Sequence, residues 1–393
     1  MNAPDGGEIR RLNSPVIAEP ASIEQALIRL RDAASSGAAV VPCGGGCFMG
    51  LSGPMRQPDV ILKTGAINHP VFYEPEELVV RVEAGMTMNG LSQMLAAKGQ
   101  EVPWDYPWPD RQTVGGILAS GVSGPRRAGA GSPRNHLLGV TVALPDGRVL
   151  YTGSRVMKNV AGYDLTRLMV GSFGSLGIIL EAAIRVRPIP EDFWAVAVRF
   201  TSAQVVAESV AQLGRSSLAL AFLELRGKAG DYRLFAGVEG MREEVEAQRM
   251  AILAMLARAG KVEGEYLKAE SGKILNELAE GPWMSTGPVF RVSIPPDRLA
   301  EVLLASREQV FASTMSGVVR LVPGQAITAM ETRERVEELS RVVGPLGGWV
   351  VPERSLVSQE EFVPAGAGKL NQGIRKIFDA AGCFSGERSV SGA

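Results

Sequence analysis

The residues best placed to do chemistry in this chain are glycines that leave the backbone bare. Pro42-Cys43-Gly44-Gly45-Gly46-Cys47-Phe48-Met49-Gly50 follows the apolar run 38–41, which reads as the end of a buried strand. Glycine loses more backbone freedom on folding than any other residue, so three in a row need a reason. The main chain must turn at positive φ there and lie against something bulky. Successive N–H groups in such a turn form a concave nest for an anion, above all a phosphate. A tight turn without ligand explains the loop equally well. The third glycine of a dinucleotide fingerprint is missing at Met49, and no Gly-Lys-Ser/Thr closes a Walker loop.

More small-residue stretches follow. Gln112-Thr113-Val114-Gly115-Gly116-Ile117-Leu118-Ala119-Ser120-Gly121 leaves little bulk over a turn. A cofactor could approach its backbone and the Thr113 and Ser120 hydroxyls. Gly124 to Ser132 carries Arg126 and Arg127, which suit a phosphate, a partner surface or a solvated charge pair. Gly171-Ser172-Phe173-Gly174-Ser175-Leu176-Gly177 opens onto a strand in which Leu180, Ala182, Ile184 and Val186 alternate with Glu181, Arg185 and Arg187. Trp104, Tyr106 and Trp108 sit among Pro103, Pro107 and Pro109, which exclude regular structure. Their rings could border a planar ligand or anchor a loop.

Bulk composition narrows the classes. Lys and Arg number 41 against 42 Asp and Glu, a net charge of -1 that gives no case for nucleic acid. No apolar run nears the roughly 20 residues of a membrane span. The polar start lacks a signal-peptide core, so a cytoplasmic location is expected, with association at the inner face of the membrane only through a complex. Cys43, Cys47 and Cys383 are the three cysteines, read as small buried thiols; no metal site is expected. The two histidines are His69 and His136.

The elements that hold these residues follow from periodicity. Ser22 and Gln25 form a capping box before a helix with Ile23, Leu27 and Leu30 on one face, closed by Gly37. Strands are expected at 60–62 and 78–82, a helix from Thr87 to Gly99, and a hairpin of 138–144 with 149–151 around Pro145-Asp146-Gly147-Arg148. Pro188 and Pro190 mark a boundary. Beyond it, 193–352 reads as two α+β units. The first has strands 193–200, 219–225 and 233–238 with helices 203–213 and 241–259. The second has strand 289–294, helix 297–310, strands 318–322 and 326–330, helix 331–343 and strand 349–351. Leu370, Ile374, Ile377 and Phe378 place a final helix back on the core.

The ordered set Gly44-Gly45-Gly46, Thr113-Val114-Gly115-Gly116 and Gly171-Ser172-x-Gly174-Ser175-Leu176-Gly177-Ile178 resembles the FAD-binding family of vanillyl-alcohol oxidase and p-cresol methylhydroxylase (PCMH). The resemblance covers roughly 20–190, with a weaker tail near 365–388. It implies an α+β protein: a two-subdomain PCMH-type FAD-binding fold at 21–190 after an arm at 1–20. A cap at 191–355 with two ferredoxin-like βαββαβ units follows, and a tail at 356–393 whose helix returns to the FAD domain. It further implies that Gly44, Gly45 and Gly46, with Cys47 and Phe48, wrap the FAD pyrophosphate. Gln112, Thr113, Gly115, Gly116, Ser120 and Gly121 would line the flavin side, and Gly177 and Ile178 would give main-chain contacts. Cys47 stands where some relatives attach flavin covalently through His.

Ser123-Gly124-Pro125-Arg126-Arg127, Gly131-Ser132-x-Arg134 and 156–172 (Val-Met-Lys-Asn-Val-Ala-Gly-Tyr-Asp-Leu-Thr-Arg-Leu-Met-Val-Gly-Ser) resemble more narrowly the FAD-binding E subunits of bacterial glycolate oxidases. Such a subunit joins a catalytic flavin subunit and an iron–sulfur subunit, and the complex oxidises glycolate to glyoxylate. Asn135 replaces a usual Asp, and the tail lacks the usual prolines. Oxidation of a 2-hydroxy acid needs a base for the hydroxyl proton and a cation for the carboxylate. Related catalytic dehydrogenases use cap histidines, often with a metal, and this cap has none. Three functions stay in view: an FAD-holding subunit, a self-sufficient FAD-dependent 2-hydroxy-acid dehydrogenase, and a non-redox assembly subunit.

Overall fold

The computed structural model describes residues 14–49, 51, 57–153, 164–284, 287–357, 359–362 and 365–384. Gly50, the first part of the 156–172 stretch (through Tyr163) and the tail beyond Phe384 lie outside them. Two small sheets build the first half. β1 (Val16–Ala18), β2 (Val40–Cys43) and β3 (Val60–Lys63) form a parallel sheet in the order β1-β3-β2, with α1 (Ile23–Ser35) between β1 and β2. Ser22 caps α1 by accepting from Gln25 N–H, and the Gln25 side chain reaches back to the N–H of Ala21 at 2.9 Å, one residue further than a standard box. β4 (Pro70–Glu74) and β5 (Val79–Glu83) precede α2 (Met88–Ala96), β6 (Gln100–Glu101), α3 (Val114–Ser120), α4 (Arg127–Ala130) and α5 (Pro133–His136). β7 (Leu137–Ala143), β8 (Val149–Gly153), α6 (Leu165–Leu168), β9 (Ile178–Arg185) and β10 (Arg187–Pro188) complete this half. Its second sheet is antiparallel, in the order β4-β5-β9-β7-β8, and β6 pairs with β10. Val80, Val82, Val140, Val142, Ala182 and Ile184 pack beneath Ile117 and Leu118 of α3, so the bare helix lies directly on β9.

The second half is one eight-stranded sheet. β11 (Asp192–Phe200), α7 (Ala203–Gly214), β12 (Phe222–Lys228), β13 (Asp231–Gly240), α8 (Arg242–Leu256) and β14 (Lys261–Leu267) form the first βαββαβ unit. After α9 (Ser271–Glu280), the second is β15 (Val289–Ser293), α10 (Leu299–Ala305), β16 (Gln309–Ser313), β17 (Val318–Val322), α11 (Ala329–Val343) and β18 (Trp349–Glu353). The strand order β14-β11-β13-β12-β16-β17-β15-β18 mirrors itself about the β12–β16 pairing. One face is buried under α7, α8, α10 and α11, with Val196, Leu234, Phe290 and Leu321 in its core. The opposite face turns toward α9 and the first half.

Two expected elements of the second unit are misplaced in the sequence reading. The helix expected over 297–310 stops at Ala305, because Glu308 is drawn into a buried ion pair with Arg335 of α11 at 2.7 Å. The strand expected over 326–330 is a helix start. Thr328 caps α11 in a full capping box with Glu331, a signal present in the sequence as Thr-x-x-Glu. β1, inside the expected arm at 1–20, and β4, β14, α9 and β16 are among the elements the sequence does not announce.

The chain's end returns to the first half. α12 (Ala365–Phe378) places Ile374 and Phe378 against the core under α3, and the N–H of Val40 donates to the carbonyl of Cys383 at 2.7 Å. Cys383 and Phe384 are buried beside Val40 and Leu62.

Candidate functional site: a bare-backbone cleft

A cleft opens between the two sheets of the first half. Its wall comes from the loop after β2, from Thr64 after β3, from α3, and from the entry to β9. Gly44, Gly45, Gly46, Cys47, Phe48, Gln112, Gly115, Gly116, Ser120, Gly177 and Ile178 all line it. Thr113 and Gly121 do not. The Thr113 hydroxyl caps α3, accepting from Gly116 N–H at 3.1 Å. Gly121 ends α3 at φ 67° and packs on Gly171.

The glycines answer a packing demand behind the cleft. Only Gly46 of the three is left-handed, at φ 70°. A Cβ on Gly44 would sit 2.2 Å from Thr113 Oγ1, and one on Gly45 would sit 1.6 Å from the Arg111 carbonyl oxygen. At Gly115 it would meet Ala84, and at Gly177 the Val142 side chain. None of those neighbours lines the cleft, so the missing side chains let the loops close on protein and present main chain to the cavity. The bulky object the triple glycine lies against is therefore the 111–113 segment.

The cleft has binding groups but no proton-transfer base. Among its lining residues there is no His, Asp, Glu, Lys or Arg. Burial raises the Cys43 and Cys47 thiols, Lys63 and Arg111 respectively opposing it, so both stay protonated and weakly nucleophilic. Gln112 is buried, and its Nε2 has no hydrogen-bond partner in the protein. A buried amide donor left unpaired costs on the order of 1–3 kcal/mol, so it fits a ligand that brings an acceptor. FAD, with its carbonyl and phosphate oxygens, suits this donor and the exposed main chain. Among the described residues no group of three or more His, Cys, Asp or Glu could hold a metal.

An aromatic layer closes the cleft toward the second half. Phe48 packs edge-on against Trp283 at 5.3 Å and tilts against Trp108 at 6.1 Å. Three of the four non-glycine residues at positive φ among the described residues lie in or beside this layer: Trp108 (53°), Phe173 (52°) and Arg354 (48°). Backbone held this way costs on the order of 1–3 kcal/mol each and tends to gather at functional sites. Trp104, by contrast, anchors a loop. It is buried and donates through Nε1 to His136 Nδ1 at 3.1 Å. His69 pairs with Glu83 near the surface, and neither histidine lines the cleft.

Arg126 leaves the list of phosphate candidates. Its Nε donates to Asp105 at 2.9 Å and its Nη1 to Glu101 and Glu239 at 3.0 and 3.1 Å, while Arg187 bridges the same two glutamates. Burial opposes its charge, but the three carboxylates outweigh that and hold the guanidinium firmly protonated. Since Glu239 ends β13, this network fastens one half to the other.

Behind Trp283 lies a second, much smaller cavity, lined by Ser123, Pro125, Glu224, Arg226, Phe311, Ser313 and Arg320, among others. Arg226, Phe311, Arg320 and Arg291 are successive cross-strand partners on β12, β16, β17 and β15. Directly opposed residues share a face, so three arginines form a row toward the first half. Burial pushes the Glu224 carboxyl up to about 8, against a hydrogen bond from Ser313 Oγ (3.1 Å) and the charges of Arg226 and Arg320. No sequence signal marked Glu224.

A family model described as an FAD binding domain matches residues 14–153. The chain is 30% identical to an FAD-linked oxidoreductase of Mycobacterium tuberculosis (MT2338), over 79% of this chain and 72% of that one. The chain belongs to the FAD-linked oxidoreductase family. Another relative of this FAD-linked oxidoreductase is the glycolate oxidase subunit GlcE of Escherichia coli, 28% identical over 86% of this chain and 88% of that protein. Among solved structures, alkyldihydroxyacetonephosphate synthase superposes with a TM-score of 0.69, covering 94% of this chain and 75% of that one at 14% identity. That likeness shows a shared fold. The oxidoreductase thus carries the PCMH-type FAD-binding architecture and binds FAD. No described helix is long and apolar enough to cross a membrane.

Proposed function

We propose that this chain is the FAD-carrying subunit of a glycolate oxidase-type complex, working with a separate catalytic flavin subunit and an iron–sulfur subunit. The observation that carries this reading is a cleft walled by bare main chain, with the unpaired Gln112 amide turned to a ligand and no His, Asp, Glu, Lys or Arg among its lining residues. The near end-to-end similarity to GlcE supports it. The Gly44–Gly46 loop would hold the pyrophosphate, Gln112 would donate to the flavin side, and Gly177 and Ile178 would offer main-chain contacts. The first half, up to about Pro188, would hold the cofactor and the second would cover it. Bound FAD supplies a two-electron acceptor that can also pass electrons singly. The aromatic layer of Phe48, Trp108 and Trp283 would exclude water from that cleft.

A second reading, a self-sufficient 2-hydroxy-acid dehydrogenase, is favoured by the arginine row. Anaerobic mixing of the purified chain with glycolate separates the two. Bleaching of its flavin bands supports the second; unchanged bands, with bleaching once the partner subunits are added, support the first. The Gly45→Val protein tests the placement. Its side chain must overlap the Arg111 carbonyl and displace the loop, so flavin content should fall about tenfold or more, the equivalent of ~1.4 kcal/mol. A folded variant with full flavin content would put the pyrophosphate elsewhere.

A further inference from the structure

A cavity of about 370 Å³ opens on the helix-covered face of the eight-stranded sheet, where its two βαββαβ units meet. That lies within the roughly 300–1,000 Å³ usual for small-molecule sites. Its walls come from both units: Val210, Ala211 and Leu223 on α7 and β12 of the first, Pro296 and Met315 on the turns Pro296–Arg298 and Thr314–Ser316 of the second. β12 and β16 pair only from Glu224 and Ser313 onward, so Leu223 lies where the strands part. Leu223 packs under the helices, whereas Glu224 and Arg226 turn toward the first half, so this cavity and the bare-backbone cleft lie on opposite faces of the sheet. Its floor is apolar. The one hydroxyl in the lining, that of Thr314, is buried and donates to the Leu223 carbonyl at 2.8 Å. Gly214, the last residue of α7, also lines the cavity. Its φ is not positive, and a Cβ there would meet nothing within 4 Å, so neither backbone nor packing demands glycine. Glycine weakens a helix, and here it leaves open space in the wall. Two exposed charges of opposite sign stand at the rim, Arg215 on the first unit and Asp297 on the second. Among the described residues Arg215 has no carboxylate partner, and Asp297 has only its neighbour Arg298, at 3.9 Å.

We propose that this cavity binds a free amino acid with an apolar side chain. The planar fork of Arg215 matches the carboxylate through two parallel hydrogen bonds. Asp297, across the rim, takes the ammonium. The side chain enters between Val210, Leu223 and Met315, driven by removal of its apolar surface from water. The flexible Met315 thioether adapts to its shape. A simple acid or a simple amine leaves one rim charge unanswered. A cationic side chain would carry its charge onto a floor that has no partner for it, which is costly. Exposed ion pairs are individually weak, so the two rim charges choose the ligand while the apolar floor supplies most of the affinity. Because the walls belong to both units, the ligand ties them together where β12 and β16 part. It lies on the far side of the sheet from the cleft and does not compete with FAD. The site stands whether or not the cleft holds flavin.

Isothermal titration calorimetry of the purified full chain tests this, with L-leucine and L-phenylalanine as probes. Isocaproate and isoamylamine, which are leucine without its ammonium and without its carboxylate, are titrated alongside, as is L-lysine. At least one of the two apolar amino acids should saturate a single site. Isocaproate and isoamylamine should bind about threefold or more weakly than leucine, the scale of one exposed ion pair. Arg215→Met and Asp297→Asn should each weaken binding by a similar factor. Both side chains are exposed, so both variants should fold. Ala211→Leu fills the space and should weaken binding about tenfold or more. Should Ala211→Leu fail to fold, the two rim variants decide. The proposal is overturned if neither apolar amino acid saturates, or if isocaproate, isoamylamine or lysine binds as tightly as they do. It is equally overturned if a folded Ala211→Leu or either rim variant binds as the wild type does.

Discussion

Arg126→Ala should lower the unfolding free energy by about 3–5 kcal/mol, the usual result of removing one member of a buried ion pair. Asp105, with 3% of its side chain exposed, would lose both its bond to the guanidinium Nε and its countercharge. Glu101 and Glu239 would keep only Arg187. Water cannot readily take the place of the guanidinium, because its own side chain is only 10% exposed. Urea unfolding gives the number, and a loss under about 1 kcal/mol would mean that the network is dispensable. Flavin content of the folded variant should match the wild type. A selective loss of flavin instead would return Arg126 to the phosphate.

Glu224→Gln should change the pH dependence of stability. Burial pushes the Glu224 carboxyl in the folded protein up to about 8, well above the 4.5 of an ordinary glutamate. A group whose folded pKa is raised holds its proton more tightly in the native state. Its contribution is complete below about pH 4.5 and is lost as pH rises to about 8. At ~1.4 kcal/mol per pKa unit, the loss amounts to a few kcal/mol. Glutamine keeps the shape and carries no proton to lose. The stability of the variant relative to the wild type should therefore climb across that window and level off above it. Urea midpoints measured at several pH values give the curve, and a constant difference would mean that Glu224 ionises freely in the folded protein.

What was legible in the sequence was whatever had to be done by small residues. Gly44, Gly45, Gly115 and Gly177 touch backbone, methyl or hydroxyl groups that no side chain could share, and that necessity shows in the residue type. Thr113 was legible as polar and small, but its hydroxyl is spent on capping α3. The arginine row was not legible. Arg226, Arg291 and Arg320 are far apart in the chain, and only the pairing of β12, β16, β17 and β15 sets them in one row. Nor was the role of Arg126, since its partner Glu239 belongs to the other half. The misplaced strand at 326–330 is a different case. Its apolar residues outweighed the Thr328–Glu331 cap in the reading, although the cap was the more local signal.

The eight-stranded sheet has two rims, and both turn away a ninth strand. On one side β14 carries Lys261, Glu263 and Glu265 and slips register against β11 between Ala197 and Val198. On the other, β18 contains Pro352, which has no N–H to offer. A protein that grips this half through its helices and loops meets no such obstacle. Pairing of rims between copies, the usual road from a broad sheet to a fibril, is disfavoured at both ends.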